Sequence, residues 1–95
     1  MYIQQGDVLL HREDSYPSTV EILKTDLLHK GQNHHHRVRG DFKIAKNDSN
    51  TLLLSSGCEL FHEEHKTLAI PEGVYRLGIV QEYDHWLEEA RAVVD

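Results

Sequence analysis

The sequence has a single cysteine, two prolines and a minority of basic residues, and no apolar run in it approaches the roughly 20 residues that cross a bilayer. Cys58 alone excludes an intrachain disulfide framework. The opening MYIQQGDVLL lacks the basic start and small-residue cleavage site of a secretory signal, so a reducing cytoplasm is the expected location. Ten Lys and Arg against sixteen Asp and Glu give a net charge of −6 with histidines neutral. That balance disfavours a broad nucleic-acid surface, because phosphate binding is driven by clustered cations. Internal repeats, linker-like stretches and low-complexity tracts are absent, which leaves residues 1–95 as one domain.

What is present is an ordinary globular mixture, with 39% hydrophobic and 27% charged residues in 95. A chain of this length hides roughly 60–70% of its surface on folding, enough for one modest core. Charge is uneven along it. Lys30, Arg37, Arg39, Lys43 and Lys46 stand against Asp41 alone, a local net charge of +4 that reads as a solvated strand face. Eight histidines add pH sensitivity, since protonating all of them moves the formal charge from −6 to +2.

Apolar residues recur mostly with a period of two, the strand period. Asp7 to Arg12 reads as a first strand, and Thr19 to Thr25 as a second after the break at Tyr16-Pro17-Ser18. From His34 to Ala45 even positions carry His34, His36, Val38, Gly40, Phe42 and Ile44, and odd positions carry His35, Arg37, Arg39, Asp41 and Lys43. This is one continuous strand with an apolar and a charged face, Gly40 marking a bulge or a close approach, and it is preferred to a hairpin turning at Gly40-Asp41. Asn47 to Asn50 is a turn by composition, Leu52-Leu53-Leu54 suits a central strand ended by Gly57, and Cys58 to His62 and Leu68 to Ile70 are extended. Pro71-Glu72-Gly73 turns the chain into a long strand over Val74 to Tyr83, apolar on both faces and hence central. After Asp84, a suitable N-cap, Trp86, Leu87, Ala90, Val93 and Val94 follow helical spacing. The expected fold is mainly β, a small antiparallel sandwich or barrel with a short C-terminal helix.

The chemistry concentrates in histidines. His34 and His36 project from one strand face, the face that also carries Val38, Phe42 and Ile44, so the pair points toward the interior and needs partners there. A second pair, His62 and His65, flanks Glu63 and Glu64 at a spacing that is not the HExxH of zinc peptidases. Together the pairs permit a divalent metal site of three or four ligands, His34, His36, His62 and His65, with zinc expected first and iron or manganese as alternatives. Glu63 and Glu64 are the candidate general bases toward a metal-bound water; otherwise they belong to a solvated turn. His11, His29 and His85 stand alone and read as structural, and Cys58 reads as a small buried hydrophobe.

Two resemblances follow from these motifs. Gln5-Gly6-Asp7-Val8-Leu9-Leu10, Gly31 to Arg37 with its HxHR ending, His62-Glu63-Glu64-His65, Ile70 to Tyr75 and Gln81-Glu82-Tyr83 resemble a pattern of small uncharacterised bacterial proteins. That resemblance adds weight to the four histidines as a group, and it places a small residue where His35 stands, implying that His35 is not a ligand. The HxH pair, a later histidine and the Pro-x-Gly turn look more distantly like a reduced cupin. The expected role is a metal-binding β domain, acting as a small metal-dependent enzyme on a small molecule. The competing expectation is a non-enzymatic module that docks on a protein partner or a second copy through Tyr75, Tyr83, Trp86 and the C-terminal helix. Neither a membrane nor nucleic acid is an expected partner.

Overall fold

The structure, a computed structural model, describes residues 1–15, 17–30 and 34–80 and the backbone of the Val93–Val94 strand. The strands are β1 (Tyr2–Gln5), β2 (Val8–Glu13), β3 (Glu21–Leu23), β4 (Leu27–Lys30), β5 (His35–Asn47), β6 (Asn50–His62), β7 (His65–Ile70), β8 (Gly73–Ile79) and β9 (Val93–Val94). Among the described residues they form one nine-stranded sheet in the order β3-β5-β6-β8-β2-β1-β9, with β4 added beside β5 and β7 beside β6. All pairings are antiparallel.

The spine is the β5–β6 hairpin, closed by Asp48 and Ser49 between the paired Asn47 and Asn50, with Asp48 at φ 55° as its left-handed turn residue. β5 is the continuous strand expected from its alternation, with His36, Val38 and Ile44 buried and Arg37, Arg39 and Lys43 exposed. β6 differs from the expectation of two strands parted at Gly57, because it runs unbroken from Asn50 to His62. Its burial changes parity instead: Leu53 and Ser55 are buried before Gly57, Cys58, Leu60 and His62 after it. The pairing explains the change. Two steps along β5, from Gly40 to Phe42, match three along β6, from Cys58 back to Ser55, so β6 carries one extra residue as a bulge. Gly40 lies opposite at φ 112°, where an added Cβ would stand 3.0 Å from the Cys58 Cα, so only glycine fits.

The bulge divides the sheet's partners. On one side of it β4 lines the start of β5 and β7 the end of β6; on the other β3 and β8 line the same two strands. One core serves both halves: Leu28, Val38, Leu60 and Leu68 from the first pack with Ile3, Val8, Leu10, Leu53 and Tyr75 from the second. Each fully buried side chain of this kind stabilises the fold by about 1.5–3 kcal/mol. The end of β1 is also tied across the core by the Gln5 amide, which donates to the carbonyls of Leu60 and Lys66 at 3.0 and 2.9 Å.

Other expectations are adjusted in detail. The second strand shortens to β3, and β1 and β4 are strands that the alternation did not reveal. β8, paired with both β2 and β6, is central as expected. Of the residues read as a C-terminal helix, Val93 and Val94 are extended and pair with Ile3 and Tyr2, and the rest lie outside the described residues. Tyr75, expected on a docking surface, is instead wholly buried, its hydroxyl donating to the Pro71 carbonyl at 2.8 Å.

Candidate functional site

Three pieces of chain meet at one end of the domain: the β1–β2 turn at Gly6-Asp7, the facing ends of β4 and β5, and the β6–β7 turn at Glu63-Glu64. The first is a two-residue turn between the paired Gln5 and Val8, with Gly6 at φ 59°. The Asp7 carbonyl accepts from the Val80 amide at 2.8 Å and the Gly6 carbonyl from the Gln4 side chain at 3.1 Å, which fix the turn against the sheet. In β4 and β5, His29 and His36 are register partners, which sets their rings side by side 6.0 Å apart.

His36 lies at the centre, 1% exposed. Its Nδ1 is 2.8 Å from Gln5 Oε1 and its Nε2 is 3.2 Å from Asp7 Oδ1. The Gln5 amide nitrogen already donates to two carbonyls, so its oxygen is an acceptor and His36 Nδ1 must be the donor. Burial, and secondarily the charge of His62, pull the His36 pKa down to about 4, against a smaller opposing pull from Asp7. A neutral His36 with its hydrogen on Nδ1 therefore presents the Nε2 lone pair to a carboxylate oxygen.

The other imidazoles surround it. The His62 ring lies 4.4 Å from those of His36 and His65, and the His34 ring stands edge-on to it at 5.8 Å. His36 and His65 are stacked within 11° of parallel at 6.1 Å. The His62 pKa is likewise lowered, by burial first and then by the charges of His65 and His34. Its Nδ1 accepts from the Glu64 backbone amide at 3.0 Å, which leaves its hydrogen on Nε2. His34 is paired through Nδ1 with Glu63 at 2.8 Å and through Nε2 with Glu64 at 3.7 Å, both carboxylates being exposed. His29 Nε2 is 3.5 Å from the second oxygen of Asp7.

The fold thus brings His34, His36, His62 and His65 to one place, with Glu63 and Glu64 on its rim. Among the described residues, no three His, Cys, Asp or Glu side chains stand as a ready-made metal shell. Gln5, Asp7 and His29 join the group without having been singled out from sequence. In sequence His29 stands alone and reads as structural, and Asp7 reads only as the start of a strand that Gln5 and Gly6 precede. The signal available was that both polar residues flank a turn glycine inside a motif already noted, QGDVLL. His11 stays apart, beside Glu13 at 3.8 Å, and His85 lies outside the described residues. His35 is half-buried opposite Lys30, its Nδ1 without a hydrogen-bond partner. Cys58 is buried, as expected for a small hydrophobe, and burial pushes its thiol pKa up.

Residues 4–80 match the model of a family described as a domain of unknown function, DUF8820. The chain belongs to this family. The match runs from Gln4, within β1, to just past β8, and so takes in every residue of the histidine end. It agrees with the resemblance to uncharacterised proteins and lends none to the cupin likeness. No curated protein and no solved structure matches the chain.

Proposed function

We propose that this DUF8820 domain binds a divalent metal ion at its histidine end, with His36 Nε2 as the anchoring ligand. The observation that carries the reading is the face-to-face placement of two acceptors, the His36 Nε2 lone pair and Asp7 Oδ1, at 3.2 Å. Two such atoms repel unless a proton or a cation lies between them, and burial opposes the proton on His36. The Gln5 carbonyl oxygen on Nδ1 is the kind of outer partner that fixes the tautomer of a metal-binding histidine. The rings of His62, His29 and His65 stand 4.4, 6.0 and 6.1 Å from that of His36, and His34 lies beyond His62, so the ion would sit among imidazoles. Imidazole donors suit zinc first, with iron and manganese served if a carboxylate joins. In this reading the role is that of a small metal-dependent enzyme, with Glu63 and Glu64 on the exposed rim as its candidate bases.

The test is elemental analysis of untagged protein purified without chelators, followed by calorimetric titration of the metal-free protein with Zn(II). Near-stoichiometric metal, or zinc binding at one equivalent in the micromolar range or tighter, supports the site. A folded protein that carries no metal and takes up none from millimolar Zn(II), Fe(II) or Mn(II) overturns it.

A further inference from the structure

We infer that the metal is held by Asp7, His36 and His29, a set of two histidines and one carboxylate, and that the histidines of the β6–β7 turn are not ligands. This rests on the metal reading above and specifies its shell. Two donors of one tetrahedral ion at bond lengths of 2.0–2.1 Å stand about 3.3–3.4 Å apart. His36 Nε2 and Asp7 Oδ1, at 3.2 Å, are already at that separation. His29 reaches the same carboxylate from the other side, 3.5 Å from Oδ2, as the cross-strand neighbour of His36. The carboxylate at present spreads one oxygen toward each ring, so the three side chains do not yet stand as a shell; closing around one ion requires Asp7 and His29, 38% and 25% exposed, to turn toward it.

Two of the remaining histidines are committed elsewhere. His62 Nδ1 caps the turn by accepting the Glu64 amide, and its neutral form has no free lone pair on Nε2. His34 is engaged by Glu63. The β1–β2 turn, by contrast, brings a ligand and its support together: Asp7 provides the oxygen and Gln5, two residues earlier, is the positioning residue that holds His36 in the required tautomer. A shell of two imidazoles and one carboxylate fits iron(II) as well as zinc and leaves positions open for water or an oxygen donor of a small substrate.

The experiment is titration of metal-free protein with Zn(II) and with Co(II), the latter followed by its visible absorption, for the wild type and for Asp7→Asn, His29→Ala and the double variant His62→Ala/His65→Ala. Far-ultraviolet circular dichroism and thermal melts check that each is folded. Asp7→Asn, which keeps size and shape, is expected to weaken binding at least about 100-fold, at or beyond what loss of an outer partner gives. His29→Ala is expected to weaken it and change the Co(II) spectrum, while His62→Ala/His65→Ala keeps the wild-type stoichiometry and spectrum. Binding that survives Asp7→Asn but disappears in folded His62→Ala/His65→Ala overturns this ligand set and leaves the metal reading intact. Absence of binding by the wild type overturns both.

Discussion

Gln5 and His36, 31 positions apart in sequence, are locked to one another by a 2.8 Å contact between Oε1 and Nδ1, and Gln5 is held in turn by two carbonyls of β6 and β7. Replacing Gln5 with Leu removes all three bonds, leaving the buried His36 N–H without its acceptor and two carbonyls without this donor. Unsatisfied buried groups cost about 1–3 kcal/mol each, reduced where water reaches them. Gln5→Leu is therefore expected to lower unfolding stability by roughly 3 kcal/mol, read as a fall in urea midpoint at constant m-value.

The buried neutral histidines set the response of the metal-free protein to acid. The folded pKa of His36 is depressed, so its contribution is complete above the ordinary imidazole value of 6.5 and is lost as pH falls toward about 4. The unfolded chain takes up the proton first, and His62 acts in the same direction. Denaturation at stepped pH should show stability falling below about 6.5, with a slope from His36 approaching about 1.4 kcal/mol per pH unit. A His36→Gln variant that remains folded should show a shallower slope.

Gly6 is a sensitive point of the turn. At φ 59° any side chain is strained, and a Cβ there would come within 2.7 Å of His65 Nε2. Gly6→Ala is expected to cost about 1–3 kcal/mol, read by thermal melting, and to shift the His65 ring resonances.

Gly40 has slightly more room, but its neighbours are main chain and cannot swing aside. The nearest atoms to an added Cβ are the Cys58 Cα and the Gly57 carbonyl oxygen, at 3.0 and 3.1 Å, neither of which is a flexible side-chain tip. Gly40→Val should prevent stable folding or shift the midpoint more than any other single change named here. Gly57→Ala meets nothing within 4 Å and should show only the strain of its backbone angle, about 1 kcal/mol. Comparing the two by chemical denaturation separates crowding from conformational strain.

Cys58 is buried, with its thiol pKa raised by desolvation and its Sγ 3.2 Å from the Ser55 hydroxyl. Ellman's reagent at neutral pH should leave it unmodified in the native protein and label it at once in denaturant.

Much of the β architecture was legible because alternation along β5 and the Leu52-Leu53-Leu54 triplet report local geometry, and local geometry is what a period of two encodes. β6 looks like two strands in sequence because its bulge shifts the buried parity from Leu53 and Ser55 to Cys58, Leu60 and His62, and a parity change in sequence looks like an ending. β1 escaped for a different reason: Gln4 and Gln5 are buried polar residues, whose partners lie as far away as Lys66. The same holds for the site. The clustering of His34, His36, His62 and His65 could be suspected from residue type, whereas the place of Asp7 and His29 depends on how the β1–β2 turn meets β4 and β5, which no spacing records.

The shared spine has a consequence for how the molecule comes apart. Since β5 and β6 each run through both halves of the sheet, neither half owns a complete set of strands, and no fragment cut at the bulge retains a core of its own. Opening of one half is therefore coupled to opening of the other. Amide exchange in the middle of β5 and β6, around the bulge, should proceed with the free energy of global unfolding, and the histidine end, assembled from segments dozens of residues apart, exists only when β1, β2, β4, β5, β6 and β7 have come together.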